Sequence, residues 1–342
     1  MPHPAEPMLE LVNLVAGYRR QRGLFRKPAE VRAVDGVDLA VAEGETLCLV
    51  GESGCGKSTV ARTVVGLLKP ISGQVRLNGV DVAAMDRAQS RAMRQQVQIV
   101  FQDPYASLNP WMTVHELITE AWRIHPGIVD RARWDDEVAT LLERVGLNPS
   151  HARRRPHEFS GGQRQRVCIA RALSVRPRLI VCDEAVSALD VSIQAQILRL
   201  LKELQDDLGV AYLFISHDLG VVRHIADRVA VMHVGTIVET GATEQVYQRP
   251  GHPYTQALLS AVPGVDDWRR QTYDEIVLHG EAPSPQAPPA GCRFHTRCWK
   301  VQDRCRTEVP ALVHRDTDHP VACHYASVDA VGTAVTAGAD LP

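Results

Sequence analysis

Apolar and polar positions alternate along Leu9-Glu10-Leu11-Val12-Asn13-Leu14 and again from Val31 to Ala42, which predicts two half-buried strands. Elsewhere the apolar positions run together. Glu45 to Val50, Val97 to Phe101, Leu179 to Asp183 and Ala211 to Ile215 are short and nearly continuous, as strands covered on both faces are. Segments of helical character separate them: Ser58 to Leu68, Arg87 to Gln96, Trp134 to Val145, Arg164 to Leu173 and Ile193 to Leu208. Lys69-Pro70 and Gly146 supply two of the stops. Strands alternating with helices predict an α/β fold around a mostly parallel sheet. This domain is expected over residues 9–250, with a basic loop at Arg19 to Lys27 and a proline-punctuated helical insertion over 103–160. From Gly251 the pattern breaks into a short helix, a proline-rich connector (Ala282 to Ala290) and a cysteine cluster, giving an extension over 251–325. Residues 326–342 are small and polar, and disorder is expected there.

Composition narrows the class only slightly. The chain has 342 residues, 45% of them hydrophobic, with a net charge of -2. It holds no uncharged apolar run of about 18 residues, so no membrane-spanning helix is expected. Met1 to Met8 carries three prolines and no apolar core, unlike a signal peptide. The charge gives no basic signature for nucleic acid.

Candidate chemistry begins after the Glu45–Val50 strand. Gly51-Glu52-Ser53-Gly54-Cys55-Gly56-Lys57-Ser58-Thr59 fits the phosphate-binding loop pattern and sits between a strand and a helix. Glycines there let backbone N–H groups converge on phosphates, and the helix N-terminus adds partial positive charge. Lys57 is expected to reach the β- and γ-phosphates, and Ser58 to ligate Mg²⁺. Cys55 lies inside this loop, where alkylation is expected to block nucleotide entry. About 125 residues later Asp183 and Glu184 end a strand; Asp183 suits Mg²⁺ and Glu184 is placed to polarise a water. Gln102 and His217 end two further strands. Tyr18, ahead of the loop, is an aromatic able to stack on a purine.

Phe159-Ser160-Gly161-Gly162-Gln163 opens a helix with a serine hydroxyl and glycine amides, a second anion-binding element. Two such elements have no obvious use on one triphosphate within one chain, but a dimer can use both. At this point the sequence resembles the ATP-binding cassette (ABC) ATPases. The resemblance implies Tyr18 as the adenine-stacking aromatic, Gly51–Thr59 as phosphate loop, Gln102 as the Q-loop and Mg²⁺ neighbour, and Ser160–Gln163 as the signature. It further implies Asp183-Glu184 as the second Walker motif, Ser187 to Asp190 as the D-loop and His217 as the switch histidine. Phe159 replaces the usual Leu and Ala185 the frequent Pro. Phe101 to Pro110 and Gly251 to Leu259 look like segments of the dipeptide/oligopeptide/nickel importer ATPases, and Val31 to Val37 with Gln98 to Asp103 resemble their F-type subunit. That resemblance implies a cassette with an antiparallel β subdomain and a helical subdomain, and peripheral attachment at the cytoplasmic face of the membrane. The implied partners are a second, D-type ATPase in a heterodimer, two transmembrane permeases and an extracytoplasmic solute-binding protein. Nickel or another small solute is the alternative cargo. Competing classes are a non-transport ABC ATPase acting on DNA or ribosomes, and a redox- or metal-sensing regulator.

Cysteine usage divides in two. Cys48, Cys55, Cys168 and Cys182 are scattered, as small buried hydrophobes are. Cys292, Cys298, Cys305 and Cys323 cluster in the extension. Four thiolates suit zinc or an iron–sulfur cluster, although the spacings are wider than the C-x₂₋₄-C pairs common in structural zinc sites. Free or disulfide-linked cysteines are the further alternative. The family resemblance implies a [4Fe–4S] cluster in a structural role.

Overall fold

The computed structural model describes residues 7–20, 29–262, 276–281, 283–315 and 317–326. The expected basic loop over residues 21–27 and the expected tail from residue 327 onward lie outside the described residues.

Two sheets organise the chain. Strands β1 (Leu9–Arg20), β2 (Ala29–Val41), β4 (Ser72–Leu77) and β5 (Val80–Asp81) form an antiparallel sheet in the order β2-β1-β4-β5. The larger sheet contains β3 (Thr46–Val50), β6 (Val97–Val100), β7 (Leu179–Asp183), β8 (Ala211–Ser216), β9 (Arg228–His233) and β10 (Thr236–Ala242). Its order is β10-β9-β3-β8-β7-β6, parallel throughout except for the β9–β10 pair.

The continuous apolar runs are explained by what covers them. Side chains along a strand point alternately to opposite faces. Cys48, Val50, Ile180, Cys182, Tyr212 and Phe214 accordingly belong to one core. Their neighbours Leu47, Leu49, Leu179, Val181, Leu213 and Ile215 belong to the other. The second core is shared with the antiparallel sheet and with α1 (Lys57–Val64). The first is shared with α4 (Val114–Ile124), α5 (Trp134–Arg144), α6 (Gly161–Leu173) and α7 (Val191–Leu208). Ahead of them lie α2 (Arg87–Gln96) and the single turn α3 (Pro104–Ser107). The short α8 (Leu219–Arg223) follows β8.

After α9 (Thr243–Gln248) and α10 (Pro253–Ser260) the extension returns to the sheet instead of standing apart. Val321 bridges Glu239, and the Ala322 amide donates to Val238 O at 2.8 Å, so the chain near Val321 covers the free edge of β10. Glu239 is wholly buried there. Its carboxylate accepts from the Gly251 and His252 amides and pairs with His319 at 2.6 Å, which satisfies a buried charge that would otherwise be costly.

Candidate functional site: a phosphate loop facing two strand-end acids

The parallel strands all deliver their C-terminal ends to one edge, where α/β sheets place ligands. The chain from β3 into α1 turns there through Gly51–Gly56. Two of its glycines are required by close backbone approach at positive φ: a Cβ on Gly51 would lie 2.1 Å from Met232 O, and one on Gly56 2.2 Å from Ala33 O. Lys57 is buried inside the loop, its Nζ donating to Gly51 O at 2.7 Å and Glu52 O at 2.9 Å. The ammonium is thereby held under the curve that the loop amides surround. Ser53, Gly54 and Thr59 complete the loop and the first helical turn.

Asp183 and Glu184 end β7, one strand beyond β8. The Ser58 hydroxyl donates to Asp183 Oδ1 at 2.9 Å, setting two hard oxygen donors side by side. Burial raises the Asp183 carboxyl above the ordinary carboxylate range, and the Ser58 hydrogen bond works against that rise. Ser58 and Asp183 fit Mg²⁺, which takes one or two protein oxygens plus phosphate and water. Glu184 has a φ of 51°, a left-handed conformation uncommon for a side-chain-bearing residue. Its amide donates to Ile215 O at 3.1 Å and its carbonyl accepts from the Ser187 hydroxyl at 3.0 Å, so the unusual backbone is held from both sides. His217 Nδ1 lies 3.3 Å from Glu184 Oε1. Gln102, after β6, donates from Nε2 to Ser187 Oγ at 3.4 Å. Gln102, Ser187, Glu184 and His217 thus form one chain of contacts.

Tyr18 is partly exposed, with its hydroxyl 3.5 Å from Thr59 Oγ1 and accepting from Arg62 at 3.2 Å. Its ring therefore stands beside α1.

The signature residues take a different position. Ser160 caps α6: its Oγ accepts from the Gln163 amide at 3.3 Å, and the Gln163 side chain accepts from the Ser160 amide at 3.1 Å. Such a reciprocal cap satisfies two helix-terminal donors. A Cβ on Gly161 would lie 3.5 Å from Leu189, and one on Gly162 only 2.5 Å from Ile193. The signature is thus backed by the segment around Asp190, which caps α7 by accepting from the Ile193 amide at 3.0 Å. Those bonds hold the Asp190 carboxyl below its ordinary range. Arg164 of α6 stacks 3.7 Å from the Tyr105 ring, linking the signature helix to the segment just after Gln102.

Cys292, Cys298, Cys305 and Cys323 line one small cavity of about 10 Å³ and are unbridged. Burial pushes the Cys292 thiol up to about 11 and the Cys298 thiol up to about 12. Among the described residues no group of three or more His, Cys, Asp or Glu is placed to hold a metal ion, so the expected four-cysteine metal or cluster site is met only as a gathering of thiols.

Sequence reasoning passed over two residues that hold the phosphate loop. Arg297 grips the Glu52 carboxylate with two hydrogen bonds, and Tyr254 accepts from the Glu52 amide. Tyr254 lies in the singled-out Gly251–Leu259 segment and Arg297 directly precedes Cys298, but neither neighbour signals a contact with the loop.

Comparison with known proteins matches residues 34–187 to the ABC transporter family model and residues 238–305 to that of the oligopeptide/dipeptide transporter C-terminal region. The oligopeptide transport ATP-binding protein AppF of Bacillus subtilis is 50% identical over 324 residues, covering 94% of this chain and 98% of that protein. The di/tripeptide transport ATP-binding protein DppF of Pseudomonas aeruginosa is 46% identical over 321 residues, covering 94% and 98%. Among solved structures, a dimeric ATP-binding cassette in a post-hydrolysis state bound to ADP and Pi superposes with a TM-score of 0.61 at 28% identity, covering 69% of this chain and 99% of that one.

Proposed function

The chain belongs to the ATP-binding proteins of the oligopeptide/dipeptide ABC transporters, and from that membership we propose that it is the ATP-hydrolysing subunit of a peptide importer. The observation that carries the reading is the convergence of Lys57, Ser58, Asp183, Glu184 and His217 at one edge of the sheet. The names of the similar relatives favour peptides over nickel or another small solute as cargo.

In this reading Tyr18 stacks on the adenine and the amides of Gly51, Ser53, Gly54, Cys55, Gly56 and Thr59 surround the phosphates. Lys57 leaves the loop carbonyls to meet the β- and γ-phosphate oxygens. When bound at Ser58 and Asp183, with Gln102 alongside, Mg²⁺ supplies neutralisation of phosphate charge. Glu184 accepts a proton from the attacking water, and His217, already paired with it, orients water and γ-phosphate. Ser160, Gly161, Gly162 and Gln163 close over the nucleotide of a partner cassette, with Asp190 behind them. The dimeric state of the related solved cassette supports that arrangement.

A groove of about 360 Å³ lies between the main sheet and the helical segment, lined by Phe101, Ser107, Glu120, Ile124 and Arg171. Its lining runs along β6 as far as Phe101, the residue before Gln102, which supports it as the place where a permease segment senses nucleotide. We place the subunit peripherally at the cytoplasmic face, paired with a D-type ATPase and served by a solute-binding protein through the complex. Among the described residues no helix is long and apolar enough to cross a membrane. The domain reading is a cassette over 9–250 and a cysteine-containing extension over 251–325. Cys292, Cys298, Cys305 and Cys323 would hold the [4Fe–4S] cluster implied by the resemblance, as a structural cross-link. That reading rests on the family resemblance, with the four thiols lining one small cavity.

The test is purification of the tagged chain from detergent-solubilised membranes, with every co-purifying chain identified. Two multi-spanning permeases and a second cassette are expected, with Mg²⁺-dependent ATP hydrolysis. Recovery from the soluble fraction alone, or with ribosomal or DNA-bound proteins, would overturn the importer reading.

A further inference from the structure

The phosphate loop carries a carboxylate of its own. Glu52 follows Gly51, beside the place proposed for a triphosphate, and a bare carboxylate there would repel a polyanion. Glu52 is not bare. Arg297 Nη1 donates to its Oε2 at 2.7 Å and Nη2 to its Oε1 at 3.1 Å, with the guanidinium side chain only 8% exposed. Two parallel bonds from a planar guanidinium fix orientation as well as charge. The backbone of the same residue is also held. Its amide donates to the hydroxyl of the fully buried Tyr254 at 2.8 Å, and its carbonyl accepts from Lys57 Nζ at 2.9 Å.

Both outside contacts come from the C-terminal extension, 202 and 245 positions further along the chain. Each is firmly seated. The Tyr254 ring lies 4.4 Å from His233 and 5.4 Å from Phe294, centre to centre. The Arg297 amide donates to Phe294 O at 3.0 Å, and Phe294 is 1% exposed. The extension further reaches the chain beneath the loop through Arg293, which bonds Asp35 and Val234 O.

We propose that the C-terminal extension is a positioning arm for the phosphate loop. Arg297 cancels and aims the Glu52 charge, and Tyr254 fixes the Glu52 backbone. Both set ATP affinity through the loop without touching the nucleotide. The proposal rests on the ATP reading of the loop given above. It separates binding from chemistry, because Glu184 and His217 act from the ends of β7 and β8 while Arg297 and Tyr254 grip the loop after β3. It also fixes a sign. Removing the guanidinium leaves a carboxylate facing a ligand of like charge, and removing that carboxylate as well should restore what was lost.

The test uses the full chain, titrated with a fluorescent ATP analogue and assayed for steady-state hydrolysis with its partners. Arg297→Met is expected to raise Kd and KM for ATP about three- to tenfold, with kcat at saturating ATP held within about twofold. The weakening should shrink at high salt, where repulsion is screened. Glu52→Gln placed on top of Arg297→Met should recover most of the affinity, and Arg297→Lys should fall between wild type and Arg297→Met. Tyr254→Phe, which keeps the buried ring, should raise Kd with little salt dependence. Wild-type affinity in an Arg297→Met chain that still unfolds cooperatively would overturn the arm. So would a double variant as weak as Arg297→Met alone. Lys57→Ala is run alongside: a wild-type chain binding ATP no better than Lys57→Ala would remove the ATP reading itself, a different result from loss of the arm.

Discussion

Glu184 shows how much one residue's backbone can carry. Its left-handed φ of 51° costs on the order of 1 kcal/mol or more for a side-chain-bearing residue. The Ile215 carbonyl and the Ser187 hydroxyl hold it there, which leaves the carboxylate free to meet His217 at 3.3 Å. Glu184→Gln preserves the size and the hydrogen-bonding oxygen but cannot take a proton. In the proposed mechanism ATP binding should therefore persist while hydrolysis drops by about two to four orders of magnitude. Paired measurements of nucleotide affinity and phosphate release check this, and turnover within about tenfold of wild type would remove Glu184 from the assigned role. The acids were legible in sequence because Leu179 to Asp183 is an unbroken apolar run that ends abruptly in charge. The positive φ was not legible, since nothing at positions 184–187 resembles a glycine turn. The Glu52–Arg297 pair was illegible for another reason: its partners are 245 positions apart, and no local pattern reports a contact of that range.

At the scale of elements, the packing of α10 against the extension makes acid sensitivity a readable consequence. His252 caps α10 by accepting from the Tyr254 amide at 3.0 Å, and it is buried among Phe294 and its neighbours. Burial, reinforced by His233, pushes His252 down to about 3; burial also pushes His233 down to about 4, with Glu52 opposing the effect and Arg297 adding to it. Both rings are therefore neutral in the fold at pH values where the unfolded chain binds protons. Stability from each is complete above the ordinary value of 6.5 and declines as pH falls towards 4, by at most about 1.4 kcal/mol per pH unit per site. His319 has the opposite sign. Burial disfavours its charge, but Glu239 and Asp318 raise its pKa overall, so its contribution is full below the ordinary value and is lost as pH rises through the raised one. His252→Asn keeps a cap acceptor and removes one titrating ring. Urea unfolding between pH 7 and 5 should then show a shallower acid decline, from a starting stability lower by about 1 kcal/mol for the lost packing. An unchanged acid slope would exclude His252 as its source. The Gly251–Leu259 segment stood out in sequence as a family likeness. Its physical task, capping a helix and presenting Tyr254 to the phosphate loop, emerges only from the fold.

For the whole molecule the decisive feature is a helix start closed on itself. Ser160 and Gln163 satisfy one another, and the flanking glycines are backed by Leu189 and Ile193. The serine–glycine pattern was plain in sequence. Its position relative to the phosphate loop was not, because that depends on how α6 packs against α7. If a partner cassette supplies the nucleotide that this signature closes on, Ser160→Arg must act in trans. The arginine places a long charged side chain at the closing surface and removes a helix cap worth about 1 kcal/mol. Ser160→Ala removes the same cap without the bulk, so the difference between the two variants isolates closure from stability. The Ser160→Arg chain is expected to bind ATP through its own loop within about twofold of wild type, while the assembled complex loses hydrolysis at the site this serine completes; Ser160→Ala should retain most of that turnover. An Arg variant that loses ATP binding in the isolated chain would mean that the signature serves its own loop, and the two-cassette site would be wrong.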